Sequence, residues 1–201
     1  MKPERTVGIL LFNEVEVLDF AGPFEVFSLA EDAETNNKLF KVITIAQHHS
    51  SISARNGLKV IPDYNFDNHP VLDLLVIPGG YGAEKIEISN QVVISWIATQ
   101  SNLAELTLSV CTGAFLLAEA GLLAGKVATT HWMDVDSLAM SYPDVEVVSN
   151  TRYVDASDEN YNLVTSAGIS AGIHASLYCV EKLIDTNTAH STARRMEFDL
   201  A

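Results

Sequence analysis

The chain has 201 residues, 48% of them hydrophobic and 19% charged, with a formal net charge of −14. Such a balance is that of a folded globular chain and excludes a disordered one. The acidic excess argues against direct binding of nucleic acid, because neutralising phosphates takes a basic surface.

Short apolar runs alternate with longer segments of helical period. The opening MKPERTVGILLF reads as a first strand over 6–12 rather than as a signal segment. A first helix is expected over Pro23–Ala30, then a strand over 40–46. LKVIPDYNF (58–66) reads as a strand-turn-strand excursion, with Pro62 confining it to an edge. Further strands are expected at 72–78, 106–110 and 162–167, several of them continuous in Val, Ile and Leu. That is the composition of strands covered on both faces. Helices are expected over Gln91–Gln100, Thr112–Ala120, Trp132–Ser141, Ser170–Ile184 and Thr188–Phe198. Gly121 would end the second of these, and Pro143 the third. The alternation predicts one doubly wound α/β domain over 1–201, with a mainly parallel sheet and helices on both faces.

No apolar stretch is long enough to cross a bilayer, so no membrane partner is expected. The two cysteines, Cys111 and Cys179, lie far apart and without metal-ligand spacing. A reducing cytoplasm is the expected setting.

In a sheet of this kind, sites form at the carboxyl ends of strands. Four segments fall there: NEVEVLDFAGP after the first strand, PGGYGAEK after Pro78, the turn at Cys111, and ATTHW (128–132). Ser109-Val110-Cys111-Thr112-Gly113 has the form small-x-nucleophile-x-small. A nucleophile on a sharp strand-to-helix turn needs small residues two before and two after it, and a helix N-terminus favours thiolate. The competing reading is a buried cysteine between sheet and helix. Asp19 could exchange protons with the thiol, or could cap the helix beginning at Pro23. Gly79, Gly80 and Gly82 could bring backbone N–H groups to a developing charge, could hold phosphate, or could form a plain turn. His131 is a base for Cys111 or a ring packed beside Trp132. His48, His49 and His69 read as loop residues, and Cys179 as core. His174 and His190 have no Cys, Asp or Glu arrangement suggesting a metal.

Taken in order, VGILLF, VLDFAGPFEVF, LLVIPGG, SVCTGAFLLAEAGLLAGKVATTHW, TSAGISAGIHASL and ARRMEFD resemble the ThiJ/PfpI superfamily over almost the whole chain. The resemblance implies the flavodoxin-like, class I glutamine amidotransferase-like fold with a nucleophile elbow at Cys111. Two groups are most similar: the isocyanide hydratases, and the amidase-like N-terminal domain of AraC-type transcription regulators. The hydratase likeness carries Asp19, Cys111 and Thr112 onto functional positions. It implies attack by the Cys111 thiolate on an electron-poor carbon, with Asp19 moving protons. The N–H groups of Gly80 and Thr112 would steady the charge, and water would release an N-formamide, with no metal or cofactor. It further implies a small-molecule substrate and a homodimer.

Departures from the pattern qualify the likeness. Thr165-Ser166-Ala167-Gly168 matches the regulators, where hydratases carry a TGGG-like string. His174 stands where the regulators commonly have Asp. Proteases of the superfamily have His directly after the cysteine, where this chain has Thr112. His131 fits the deglycase and glyoxalase branch, but that branch uses Glu where this chain has Asp19. The alternatives to hydration of an isocyanide are glyoxalase or deglycase-type aldehyde chemistry, and a sensor of ligands or oxidants without turnover. The sequence stops at Ala201 with no basic recognition helix.

Overall fold

A computed structural model of the chain describes residues 4–159 and 161–200. Its centre is a seven-stranded sheet. The strands are β1 (Arg5–Leu11), β2 (Phe40–Ala46), β5 (Tyr64–Asn65), β6 (Leu74–Ile77), β7 (Leu106–Val110), β10 (Tyr153–Asp155) and β11 (Leu163–Ser166), in the order β10-β11-β7-β6-β1-β2-β5. All neighbours are parallel except β10, which runs antiparallel on the β11 edge. Two short pairs lie outside it: β3 (Ile52–Ser53) with β4 (Lys59–Val60), and β8 (Val127–Ala128) with β9 (Glu146–Val147). The expected excursion at 58–66 therefore contains two strands that pair elsewhere, one with β3 and one with the β2 edge.

The helices are α1 (Val17–Leu29), α2 (Tyr81–Lys85), α3 (Gln91–Leu103), α4 (Gly113–Glu119), α5 (Val135–Ser141), α6 (Ala171–Leu183) and α7 (Thr186–Arg195). α1, α6 and α7 pack together over β1, β2 and β11, while α3 and α4 pack together beside β6 and β7. The α/β doubly wound arrangement expected from the alternation is the one observed. β6 and β7 are buried along their entire lengths between two helical layers, as suits the continuous Leu, Val and Ile of β6 and the uncharged Leu-Thr-Leu-Ser-Val of β7.

Three helix starts differ from expectation by two residues or more, each for a local reason. α1 begins six residues before Pro23, so the proline lies inside the helix. Buried Asp19, Phe20, Gly22, Pro23, Val26 and Phe27 recur at helical spacing, and burial of that face outweighs the one backbone bond Pro23 cannot make. α5 begins at Val135, because residues 131–134 form a turn closed by the Asp134 N–H on the His131 carbonyl (2.9 Å). α7 begins at Thr186, where the Asp185 carboxylate accepts the Thr188 N–H at 2.7 Å and caps it.

The order of the sheet sets the location of the site. From β1 the chain moves one way to β2 and then crosses back to β6 on the other side of β1. This switch point opens a crevice at the carboxyl ends of β1 and β6, with β7 next in line. Close backbone packing fixes it: a Cβ on Gly113 would stand 2.1 Å from the Ile77 carbonyl oxygen. By contrast, Gly121, with φ +76°, faces open space.

Two alanine variants separate these demands. Gly113→Ala should lose about 3 kcal/mol or more, since backbone must move, and Gly121→Ala only about 1 kcal/mol from its left-handed backbone. Urea unfolding of both variants measures the difference, and equal losses would mean that the β6–α4 approach is not tight.

Candidate active site

Cys111 occupies the single turn residue between β7 and the Thr112 N-cap of α4, with φ +56°. A non-glycine residue in this region is strained by about 1–3 kcal/mol and persists only where its surroundings fix it. The surroundings do so at both ends of the residue. Its N–H lies between the carbonyls of Ser166 (3.2 Å) and Ala167 (3.3 Å), and its carbonyl accepts the Thr130 hydroxyl at 2.9 Å. Ser109 is fully buried beneath the turn, and Gly113 passes under Ile77. The small residues on either side of Cys111 thus have the steric role that their spacing indicated.

Asp19 lies in the first turn of α1 and is completely buried, so it is a helix residue and not a cap ahead of Pro23. One carboxyl oxygen accepts the Gly79 N–H at 3.1 Å. The other, Oδ1, has no well-aligned partner among the described residues. The carboxyl's further polar neighbours are the Cys111 thiol and the Ile169 N–H. Burial raises the Asp19 pKa to about 7; the Glu16 charge adds to this, while the Gly79 N–H, Cys111 and Ile169 oppose it.

The sequence leaves the thiol between opposing pulls, a helix N-terminus favouring thiolate and the Asp19 charge opposing it. Cys111 is 7% exposed, and burial pushes its pKa well up, followed by repulsion from Asp19. The Thr112 N–H pulls in the expected direction, but α4 has only seven residues and does not prevail. The resting pair is a thiol beside a carboxyl that is near its midpoint at neutral pH.

Gly80 has φ +120°, and its N–H donates to the Thr112 hydroxyl at 2.9 Å. To meet an incoming charge, that N–H must first be released by Thr112. Thr112 itself is 3% exposed, and its N–H faces Cys111. His131 follows β8, in the small separate sheet rather than on the main sheet edge. Its neighbours bring it in: Thr129 N–H reaches the Thr165 hydroxyl (2.9 Å), and Thr130 reaches Cys111. The His131 Nδ1 is bonded to Asp134 at 3.2 Å. Because a carboxylate only accepts, Nδ1 carries the proton in the neutral ring, leaving Nε2 its lone pair. The ring lies against Gly168, where a Cβ would come within 2.0 Å of it. Among the described residues its hydrogen bond goes to Asp134, and it is Thr130 that touches Cys111.

Three contributors escaped the sequence reading. Ile169, with φ +55°, brings its N–H to Asp19 from the loop after β11. Glu84 stands on α2 beside the Thr112 hydroxyl, and Asp134 is near enough for its charge to act on Cys111 and Glu84. Glu84 was visible within PGGYGAEK, but nothing in that string signals the one-turn helix that aims it inward. Cys179 is fully buried in α6, the core role read for it.

Comparison with known proteins shows the family. The model of the DJ-1/PfpI family matches residues 5–182, and the chain belongs to that family. It is 31% identical over 192 residues to the isonitrile hydratase of Pseudomonas putida, covering 96% of this chain and 78% of the relative. It is 25% identical over 176 residues to the HTH-type transcriptional regulator GbdR of Pseudomonas aeruginosa, covering 88% of this chain but 46% of the regulator. A solved ThiJ/PfpI family protein from Pseudomonas syringae superposes with TM-score 0.84 at 28% identity, covering 98% of this chain and 76% of that one.

The raised Asp19 pKa carries a sign for stability. Between the ordinary 3.8 and about 7 the folded state holds a proton that the unfolded chain has released. Stability therefore falls as pH rises through this window, by about 4 kcal/mol at most. Asp19→Asn should remove the fall while keeping an acceptor for Gly79. Chemical unfolding from pH 4 to 8 tests this, and parallel profiles for wild type and variant would refute a raised Asp19.

Proposed function

We propose that the protein is a cofactor-free cysteine enzyme that hydrates an isonitrile to an N-formamide. The observation that supports it most is the paired state of Cys111 and Asp19: a buried thiol against a carboxyl with a pKa of about 7. Such a pair moves a proton during attack without first forming a free thiolate. The 31% identity to a protein named for this reaction gives the reading its substrate class.

In the proposed cycle the Cys111 sulfur bonds to the terminal isonitrile carbon. The thiol proton passes to Asp19 and then to that carbon, giving a neutral thioimidate, S–CH=N–R. Water adds to the same carbon, with one of its protons reaching nitrogen through Asp19. The C–S bond then breaks, the last hydroxyl proton returns to sulfur, and R–NH–CHO departs. The sum is R–NC plus water giving R–NH–CHO. Thr112 offers its N–H beside the sulfur, and the Gly80 N–H becomes available if the Thr112 hydroxyl turns away. His131 is the remaining base of this set, oriented by Asp134. A homodimer in the cytoplasm is the setting proposed with this activity.

A second reading is a sensing domain without turnover. It is supported by the regulator-like string Thr165-Ser166-Ala167-Gly168 and by the match to GbdR. Formamide production from an aryl isonitrile decides between them. Wild type should turn over, Cys111→Ala should be inactive, and Asp19→Asn should be slowed by about 10²–10⁴-fold. With Asp19 as base, kcat/KM should rise with pH through about 7 and then level. Stoichiometric modification of Cys111 without product would favour the sensor.

A further inference from the structure

The family likeness concerns the thiol, its acid and the adjoining hydroxyl, and leaves the surrounding charges unassigned. Those charges are nearly all of one sign. Glu84 and Asp134 face one another across a cleft of about 280 Å³ that is also lined by Phe115, four residues beyond Cys111 on α4. Glu84 reaches the Thr112 hydroxyl, and Asp134 is hydrogen-bonded to His131. Glu16 lies on the opposite side, its N–H on the Gly79 carbonyl at 2.9 Å and its charge felt by Asp19. A nearby cation is Lys85, 3.7 Å from Glu84, but its side chain is 58% exposed and its charge is largely given to water, while Arg55 is paired with Glu14. Glu84 and Asp134 are both partly buried, with side chains 23% and 25% exposed, so they are screened less than surface carboxylates.

We infer that Glu84 and Asp134 select substrate by charge, admitting neutral or cationic electrophiles to Cys111 and holding off anionic ones. This rests on Cys111 being the reacting thiol, and it narrows the proposed substrate to one without a carboxylate or phosphate. An anion approaching the sulfur is opposed by Asp134, whose charge acts on Cys111, and by Glu84 beside the Thr112 hydroxyl. A neutral isonitrile meets no such opposition.

The test uses two alkylating reagents of similar size and opposite demand, neutral iodoacetamide and anionic iodoacetate. In both, an S–C bond forms, iodide leaves, and the thiol proton goes to solvent. Neither requires turnover, so this result and the failure of formamide production are independent. Mass spectrometry of the Cys111 peptide gives both rates on the same protein. Their ratio cancels the thiolate fraction, which the variants also alter.

Relative to 2-mercaptoethanol, wild type should favour iodoacetamide about tenfold or more at low salt. Glu84→Gln and Asp134→Asn should each reduce that preference by about threefold, and together should nearly abolish it. Raising salt should weaken the preference in wild type and leave the double variant unchanged. A wild-type ratio equal to that of 2-mercaptoethanol, or a ratio that survives both substitutions, would overturn the inference. Glu84→Lys gives an independent check that does not depend on small differences: it should shift the ratio towards iodoacetate.

Discussion

The site depends on holding a residue with a side chain in left-handed backbone at the end of β7. Cys111 cannot rest there on local preference, since the conformation costs about 1–3 kcal/mol relative to relaxed backbone. Three segments distant in sequence supply what is missing. Ser166 and Ala167 take its N–H, Thr130 donates to its carbonyl, and Gly113 lets α4 run beneath Ile77. The same contacts position the rest of the crevice. Once β11 and the loop after β8 are tied to the elbow, Ile169 arrives at Asp19 and His131 at Gly168. The chemistry is therefore assembled by restraining one strained residue, and the loops need no further instruction to converge.

What was legible in the sequence follows from this division between local and distant causes. The strands of the sheet centre announce themselves, because burial on both faces favours apolar or small uncharged residues, unbroken Leu, Val and Ile at 74–77 and Leu-Thr-Leu-Ser-Val at 106–110. The elbow was legible for a steric reason, through Ser109 and Gly113. Asp19 was found but misplaced relative to its helix. Pro23 is a strong local stop signal, overridden here by a buried face that recurs on both sides of it. The helix expected over Trp132–Ser141 starts three residues late, and the Trp132 side chain is 78% exposed in a turn closed by His131 and Asp134. Glu84 and Ile169 could not be read at all. Their roles depend on distances across the crevice, and no periodicity records those.

The thiol shows the same limit for electrostatics. A helix N-terminus is visible in sequence and argues for thiolate; desolvation is invisible and argues against it. A first-turn N–H contributes at most about 1–2 kcal/mol, while burying a charged sulfur beside a carboxylate opposes it with more. Burial prevails, and the thiol keeps its proton until something takes it. Asp19 is matched to that task because the same burial lifts it from the ordinary carboxylate range to about 7. One physical cause, exclusion of water from the crevice, thus raises both groups and leaves a protonated thiol beside a carboxyl near its midpoint at neutral pH.

This arrangement bears on what reaction the crevice can support. The net charge of −14 is mostly remote, and at physiological salt charges beyond about 8 Å are screened. Asp19 and Asp134 act on the sulfur and disfavour negative charge there, Glu16 acts on Asp19, and Asp134 acts on Glu84. A mechanism that passed through a free thiolate and then a free imidate anion would work against that field twice. Proton movement coupled to each bond change avoids both, since neither thiol, thioimidate nor formamide carries charge. The acidic surroundings and the near-neutral pKa of Asp19 are then two parts of one requirement. In the proposed reaction the carboxyl takes up each proton as the S–C bond forms or water adds, so charge never accumulates on the atoms being transformed.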